Sequence, residues 1–250
     1  MARIAIVTGA SKRVGRAIAD ALLADGWRVV AHIHHDRDDV PAGAVGVAAD
    51  LAQADCATRI FGAAEKLGPV ALLVNCAARF AGDDLTRFDG AEFDSHMAVN
   101  VRAPALLTRA FAEQAGADGG LVVNLLDSKL SAPNPDFLSY TLSKIALAGL
   151  TELSARALGA NRIRVNAIAP ALMLQSPGQD DENFAAMHRF NPLGRGVEPD
   201  DVVAALRYLI GATAVTGQTI TIDGGQHFWS LPRDVQFLSP SGDKQFLERQ

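Results

Sequence analysis

Tyr140 and Lys144 close the run NLLDSKLSAPNPDFLSYTLSK, residues 124–144. On a helix their spacing is one turn, so both side chains project from one face. An ammonium beside a phenol favours the phenolate, and the spacing therefore predicts a tyrosine whose pKa is drawn down to serve proton transfer at neutral pH. Thirteen residues before the tyrosine stands Asp127, with Ser128 directly after it. An ionised carboxylate only accepts hydrogen bonds, whereas a hydroxyl also donates, so the two residues offer a substrate different chemistry. Three readings are open. Asp127 relays a proton, its pKa raised by partial burial; or Ser128 is the donor, although one step along a strand turns it to the opposite face; or Asp127 only caps the following loop.

A second constellation follows the first apolar run. Thr8-Gly9-Ala10-Ser11-Lys12-Arg13-Val14-Gly15 leads straight into a helical pattern. Glycines let a backbone turn tightly and approach a pyrophosphate, and a helix N-terminus offers free N–H groups with a positive dipole end. Gly9, Ser11, Lys12, Arg13, Val14 and Gly15 are thus candidate dinucleotide contacts. The two glycines are six apart, which is not G-x-G-x-x-G, and a plain βα turn is the alternative. His32, His34 and His35 form a third cluster. On a strand His32 and His34 share a face, but no carboxylate motif partners them, and no metal site is expected.

These groups are far apart in sequence and need a scaffold to gather them. ARIAIVT, WRVVAHI, AVGVAA, VALLVN, GLVVNLL, RIRVNAI and QTITID read as strands, and residues 15–25, 53–67, 101–115, 137–159 and 199–211 as helices. The alternation implies an α/β fold, a Rossmann-like doubly wound parallel sheet flanked by helices. Residues 1–230 read as one domain. Residues 231–250 form a polar C-terminal tail, and residues 173–198, with the acidic cluster Asp180-Asp181-Glu182, read as a long lid loop. The net charge of −5 over 250 residues argues against a nucleic-acid partner. Ile4-Ala5-Ile6-Val7 is too short to cross a bilayer, no signal-like segment precedes it, and Cys56 and Cys76 read as inert packing thiols. A cytoplasmic protein with no membrane partner is expected.

The ordered motifs resemble the short-chain dehydrogenase/reductase family from about residue 3 to 229. They include the Thr8–Gly15 turn, Asp50-Leu51, Val74-Asn75-Cys76-Ala77-Ala78, Asn100, Tyr140 with Lys144, Ala169-Pro170, Thr216-Gly217-Gln218 and Asp223-Gly224-Gly225. Arg13 replaces the middle glycine of the family's T-G-x-x-x-G-x-G. The resemblance implies that Asp50 bonds adenine beside Leu51, and that Asn75, Ala77 and Ala78 line the cofactor. Pro170 would border the nicotinamide with Leu172 also among the cofactor contacts, Lys144 would bond its ribose, and Asn100 would sustain a water relay. It also implies a homotetramer built on the helices at 101–115 and 137–159. Phe237, Leu238 and Phe246 of the tail are candidate anchors on a neighbouring subunit.

A narrower resemblance is to pteridine reductases and dihydromonapterin reductases. These carry Asp where most of the family has Ser, thirteen before the tyrosine, and T-G-x-x-x-R-x-G in the first turn. His32-Ile33-His34 is similar to their His-x-His, and Phe80 to the ring that sandwiches a pterin against the nicotinamide. Their next arginine is His35 here, and their serine near the pterin is Ala78. The positions that hold an acid in NAD-specific relatives are Ile33 and His34, while Arg13 and Lys12 can meet a 2′-phosphate, so NADPH/NADP is expected, with Asp36 as the opposing charge. Reducing a pterin C=N bond puts hydride on carbon and a proton on the adjacent nitrogen, a task for Asp127 and Tyr140. The expected activity is reduction of a small-molecule dihydropterin (dihydromonapterin, dihydrobiopterin or dihydrofolate-like). A carbonyl reductase of 3-oxoacyl thioesters or sugars, with Ser128 as donor, is the alternative. A non-catalytic dinucleotide-binding regulator is the third, and intact Tyr140 and Lys144 argue against it.

Overall fold

Each of the seven apolar runs forms a strand of one parallel sheet in this computed structural model, which describes residues 3–176 and 178–238. The strands are β1 (Ile4–Thr8), β2 (Arg28–Ile33), β3 (Val45–Ala48), β4 (Val70–Asn75), β5 (Gly120–Leu125), β6 (Ile163–Pro170) and β7 (Thr219–Ile222). The helices are α1 (Arg13–Ala24), α2 (Cys56–Glu65), α3 (Gly90–Met97), α4 (Ala103–Gln114), α5 (Leu138–Leu158), α6 (Asp181–Met187) and α7 (Pro199–Gly211). The sheet order is β3-β2-β1-β4-β5-β6-β7.

The inner strands β1, β2, β4, β5 and β6 are mostly apolar because both faces are covered, whereas the edge strands β3 and β7 are at most part-buried. Ile4 and Ile6 of β1 pack with Phe61 of α2 and Phe111 of α4 on one side. Ala5 and Val7 pack with Ile18 and Leu22 of α1 and Leu206 of α7 on the other. Strand order reverses between β1 and β4, and a ligand crevice forms beyond the carboxyl ends of the strands at such a reversal. The Thr8 hydroxyl staples that point: it accepts the Cys76 and Ala77 N–H groups at 2.9 and 3.0 Å.

Three segments differ from the sequence expectation. Residues 90–102 are helical: α3 is continued by a π-helical turn, Ala98–Arg102, into α4. The expected lid at 173–198 contains α6, whose start is capped by the Asp180 carboxylate accepting the Asn183 N–H at 2.7 Å. After β7 the chain makes two 3₁₀ turns, Gln226–Trp229 and Val235–Phe237. Phe237 stacks on Phe137 of its own chain at 5.7 Å and Leu238 is buried; Phe246 lies outside the described residues. Among the described residues no helix is long and apolar enough to cross a membrane.

Candidate active site

The glycine turn is built for close backbone approach. Gly9 has φ +70°, and a Cβ on Gly15 would sit 2.2 Å from the Gly9 carbonyl oxygen. Arg13 has φ 55°, the left-handed region natural to the glycine it replaces. Its guanidinium donates to the carbonyls of Leu174 and Gln175 at 3.1 and 3.0 Å. It therefore straps the turn to the loop after β6 and is not the uncommitted phosphate cation expected. Lys12, at the N-cap of α1, makes no side-chain cap bond, so the first N–H groups of the helix are left for a ligand.

His32 also differs from expectation. It is buried, its Nδ1 accepts the Gly9 N–H at 3.1 Å, and its Nε2 meets the Ala49 carbonyl at 2.9 Å. That pairing assigns the neutral Nε2–H tautomer, and burial holds the ring's pKa below its usual value. His32 pins the glycine turn and has no donor left for a phosphate. His34 and His35 are exposed along the cavity. The acid beside them is Asp38, not Asp36; its carboxylate accepts the His34 and His35 N–H groups at 3.1 and 2.9 Å. Asp50 accepts the Ala52 N–H at 2.8 Å, a bond that holds its carboxyl below the usual range.

The reaction centre is positioned by the start of α5. Phe137 precedes the helix at φ 54°, and Asp83, 56 residues upstream, accepts the Ser139 N–H at 3.0 Å and also the Ser139 hydroxyl. Tyr140 and Lys144 then face the end of β5. The Tyr140 hydroxyl donates to Asp127 Oδ2 at 3.0 Å, while Asp127 Oδ1 accepts the Lys129 N–H at 2.9 Å. Asp127 thus caps the 3₁₀ turn Ser128–Ser131 and meets the tyrosine at once, so these two readings are not exclusive. It lies beyond β5, so strand alternation does not remove Ser128, which also lines the cavity.

The electrostatics reverse one expectation. Burial, then the Asp127 charge and hydrogen bond, push the Tyr140 pKa well up, not down. Burial likewise raises Asp127, against the bond from the Lys129 N–H. The Lys144 ammonium donates to the Leu125 carbonyl at 2.6 Å and lies 5.5 Å from the Tyr140 ring centroid. Burial lowers it to about 8. The centre accordingly favours protonated Tyr140, a donor.

A cavity of about 1020 Å³ runs across the carboxyl ends of the strands. Every residue expected at cofactor or substrate lines it except Asn75 and Asn100. The Asn75 amide donates to Asn124 at 2.8 Å, between β4 and β5. Asn100 sits in the π turn, accepts the Arg79 N–H at 2.7 Å and donates to the Arg79 carbonyl and the Ser143 hydroxyl at 3.0 and 2.9 Å. It positions the loop that carries Phe80. Phe80 is 39 % exposed at the cavity, with Phe137 stacked on it at 4.6 Å and Tyr140 edge-on at 4.8 Å. Sequence reasoning missed Phe137, Lys129, Arg233 and Asp234, which all line the cavity. Phe137 had a local signal, an aromatic three residues before the tyrosine. The Arg-Asp pair in the polar tail had none that points to a site.

A protein-family model described as Enoyl-(Acyl carrier protein) reductase matches residues 9–227. L-xylulose reductase of Bos taurus is 34 % identical, over 89 % of this chain and 96 % of that protein. Pteridine reductase 1 of Leishmania tarentolae is 31 % identical, over 93 % and 98 %. FolM Alternative dihydrofolate reductase 1 from Brucella canis, solved in complex with NADP, superposes with a TM-score of 0.86 at 37 % identity, covering 90 % of this chain and 94 % of that one.

Proposed function

The chain belongs to the short-chain dehydrogenase/reductase family, and on that premise we propose that it reduces a dihydropterin to the tetrahydro form, using NADPH. The observation that carries the reading is the partly buried Asp127 carboxyl joined to the Tyr140 hydroxyl at 3.0 Å. The NADP complex of the similar Brucella canis protein and the likeness to a pteridine reductase support it.

The residues present fit a dinucleotide. The Gly9–Gly15 turn admits no Cβ at its closest approach, and the uncapped N-terminus of α1 leaves donors for a pyrophosphate. His34 and His35 stand at the end of β2 along the cavity, and Asp38 beside them is turned onto their two N–H groups. When bound, NADPH supplies the hydride. The chain's own work is orientation and proton delivery. Phe80 and Phe137 offer a flat heteroaromatic ring an apolar edge. Lys144, fixed to the Leu125 carbonyl, stands beside the tyrosine for the ribose hydroxyls. As hydride reaches carbon and the C=N π bond breaks, the adjacent ring nitrogen takes a proton from the Tyr140–Asp127 pair, which is then refilled from solvent. Burial and the Asp127 carboxylate hold the Tyr140 pKa well up, so the phenol keeps its proton at neutral pH, and burial raises Asp127 as well.

A second reading, reduction of a sugar ketone, is favoured by the identity to L-xylulose reductase and by Ser128 at the cavity. NADPH absorbance followed with dihydropterins, then with L-xylulose and oxoacyl thioesters, separates the two. Dihydropterin turnover is expected, and Asp127→Ser should cut it by about 10²-fold or more while sparing ketones. Turnover of ketones alone by the wild-type protein would overturn the pterin reading.

A further inference from the structure

The outer end of the cavity is closed by chain that lies beyond the last strand. Leu231, Arg233, Asp234 and Val235 line it. Arg233 Nε bonds both carboxylate oxygens of Asp136, at 3.0 and 2.8 Å, and the Asp234 N–H donates to the same carboxylate at 2.8 Å. On the far side, Asn183 of α6 donates to the Leu238 carbonyl at 2.8 Å.

Lys129 stands between this segment and Asp127. Its side chain is only 8 % exposed, and its ammonium donates to the Asp136 carbonyl at 2.5 Å and to Asp234 Oδ2 at 3.3 Å. Its backbone N–H holds Asp127 Oδ1. One residue therefore grips the candidate proton donor with its main chain and the C-terminal segment with its side chain.

We propose that Lys129 and Asp234, as an ion pair, are positioning residues that make Leu231–Leu238 the outer wall of the substrate site and couple that wall to Asp127. The consequence for catalysis rests on Asp127 as proton relay to a C=N substrate; the ion pair does not. Asp127 is faced by Tyr140 and Lys144 from α5, Lys129 from its own turn, and Asp234 with Arg233 from the C-terminal segment. Asp136 lies behind Lys129, Cys76 beside Lys144, and His227 in the Gln226–Trp229 turn that packs on Ser128–Ser131. The Asp234 charge favours the protonated form of Asp127, while the Lys129 N–H bond and the Lys144 ammonium oppose it. The Lys129 ammonium, 3.3 Å from Asp234 Oδ2, compensates the Asp234 charge directly.

The two halves of the pair can thus be told apart. Asp234→Asn removes the anion and leaves Lys129 uncompensated, and both changes favour ionised Asp127. Lys129→Gln leaves Asp234 uncompensated and favours the protonated form. Mere loosening of the wall would move both variants alike, since each breaks the same bridge. The test is a carbon-13 carboxyl NMR titration of the NADP⁺-bound protein, with Asp127→Asn assigning the resonance. Asp127 should titrate lower in Asp234→Asn and higher in Lys129→Gln, each by roughly half a unit to one unit, and as in the wild type in Lys129→Arg. Shifts of one sign, or none, overturn the proposal. Where a single variant fails to bind NADP⁺, the Lys129→Gln/Asp234→Asn double variant carries the test: a wild-type titration supports the pair and a displaced one overturns it. Opposite shifts in a protein that reduces no dihydropterin would leave the pair standing and sink the substrate reading alone.

Discussion

Asp127 is a costly residue, and its cost depends on pH. A carboxyl whose folded pKa is raised above its unfolded value contributes stability that is fully present below the unfolded pKa and is lost as pH climbs through the folded one. Asp127→Asn keeps the shape and removes the ionisation. The variant's melting temperature should therefore gain on the wild type's as pH rises above about 4, and the advantage should vanish below it. A difference independent of pH would mean that Asp127 ionises as freely folded as unfolded. Ser128, one residue on, carries no such burden, which is why the more expensive side chain is the informative one.

At the scale of elements, the π turn between α3 and α4 matters most. It places Val99 at the cavity and turns Asn100 inward, where three hydrogen bonds hold Arg79 and Ser143. Asn100→Ala should cost about 2–3 kcal/mol in denaturant unfolding, because it leaves the Arg79 main chain unsatisfied. It should also raise KM for the substrate more than for NADPH, since the freed loop carries Phe80. Equal effects on both would detach the π turn from the substrate side. Much of this scaffold was legible: all seven strands follow from short apolar runs, the inner ones buried on both faces, and the shared face of Tyr140 and Lys144 follows from helical spacing, while Asp127 beside them was implied by the family resemblance. α3 was not, because only His96 in it is buried and no apolar stripe marks it. α6 was hidden by Asp180-Asp181-Glu182, taken as loop but acting as cap and acidic first turn, where negative charge suits the helix dipole. The Lys129–Asp234 and Asp136–Arg233 pairs join residues 105 and 97 positions apart, and no local pattern announces such closures.

Across the whole molecule, the N-terminal strands and their loops build one half of the cavity, β5 and α5 build the reaction centre, and the last described residues close the end. Arg13 is where the halves meet, reaching from the glycine turn to carbonyls 161 and 162 residues away. Two carbonyls are weaker partners for a guanidinium than a pyrophosphate is. Arrival of the nucleotide would therefore draw Arg13 off Leu174 and Gln175 and release the loop after β6 to fold over whatever comes next. The expected order is nucleotide on first and off last, so that NADP⁺ should compete against NADPH and not against the second substrate. In Arg13→Gly, which has no bolt to draw, product-inhibition patterns should shift toward random entry. An unchanged pattern would show that the order of arrival is set elsewhere.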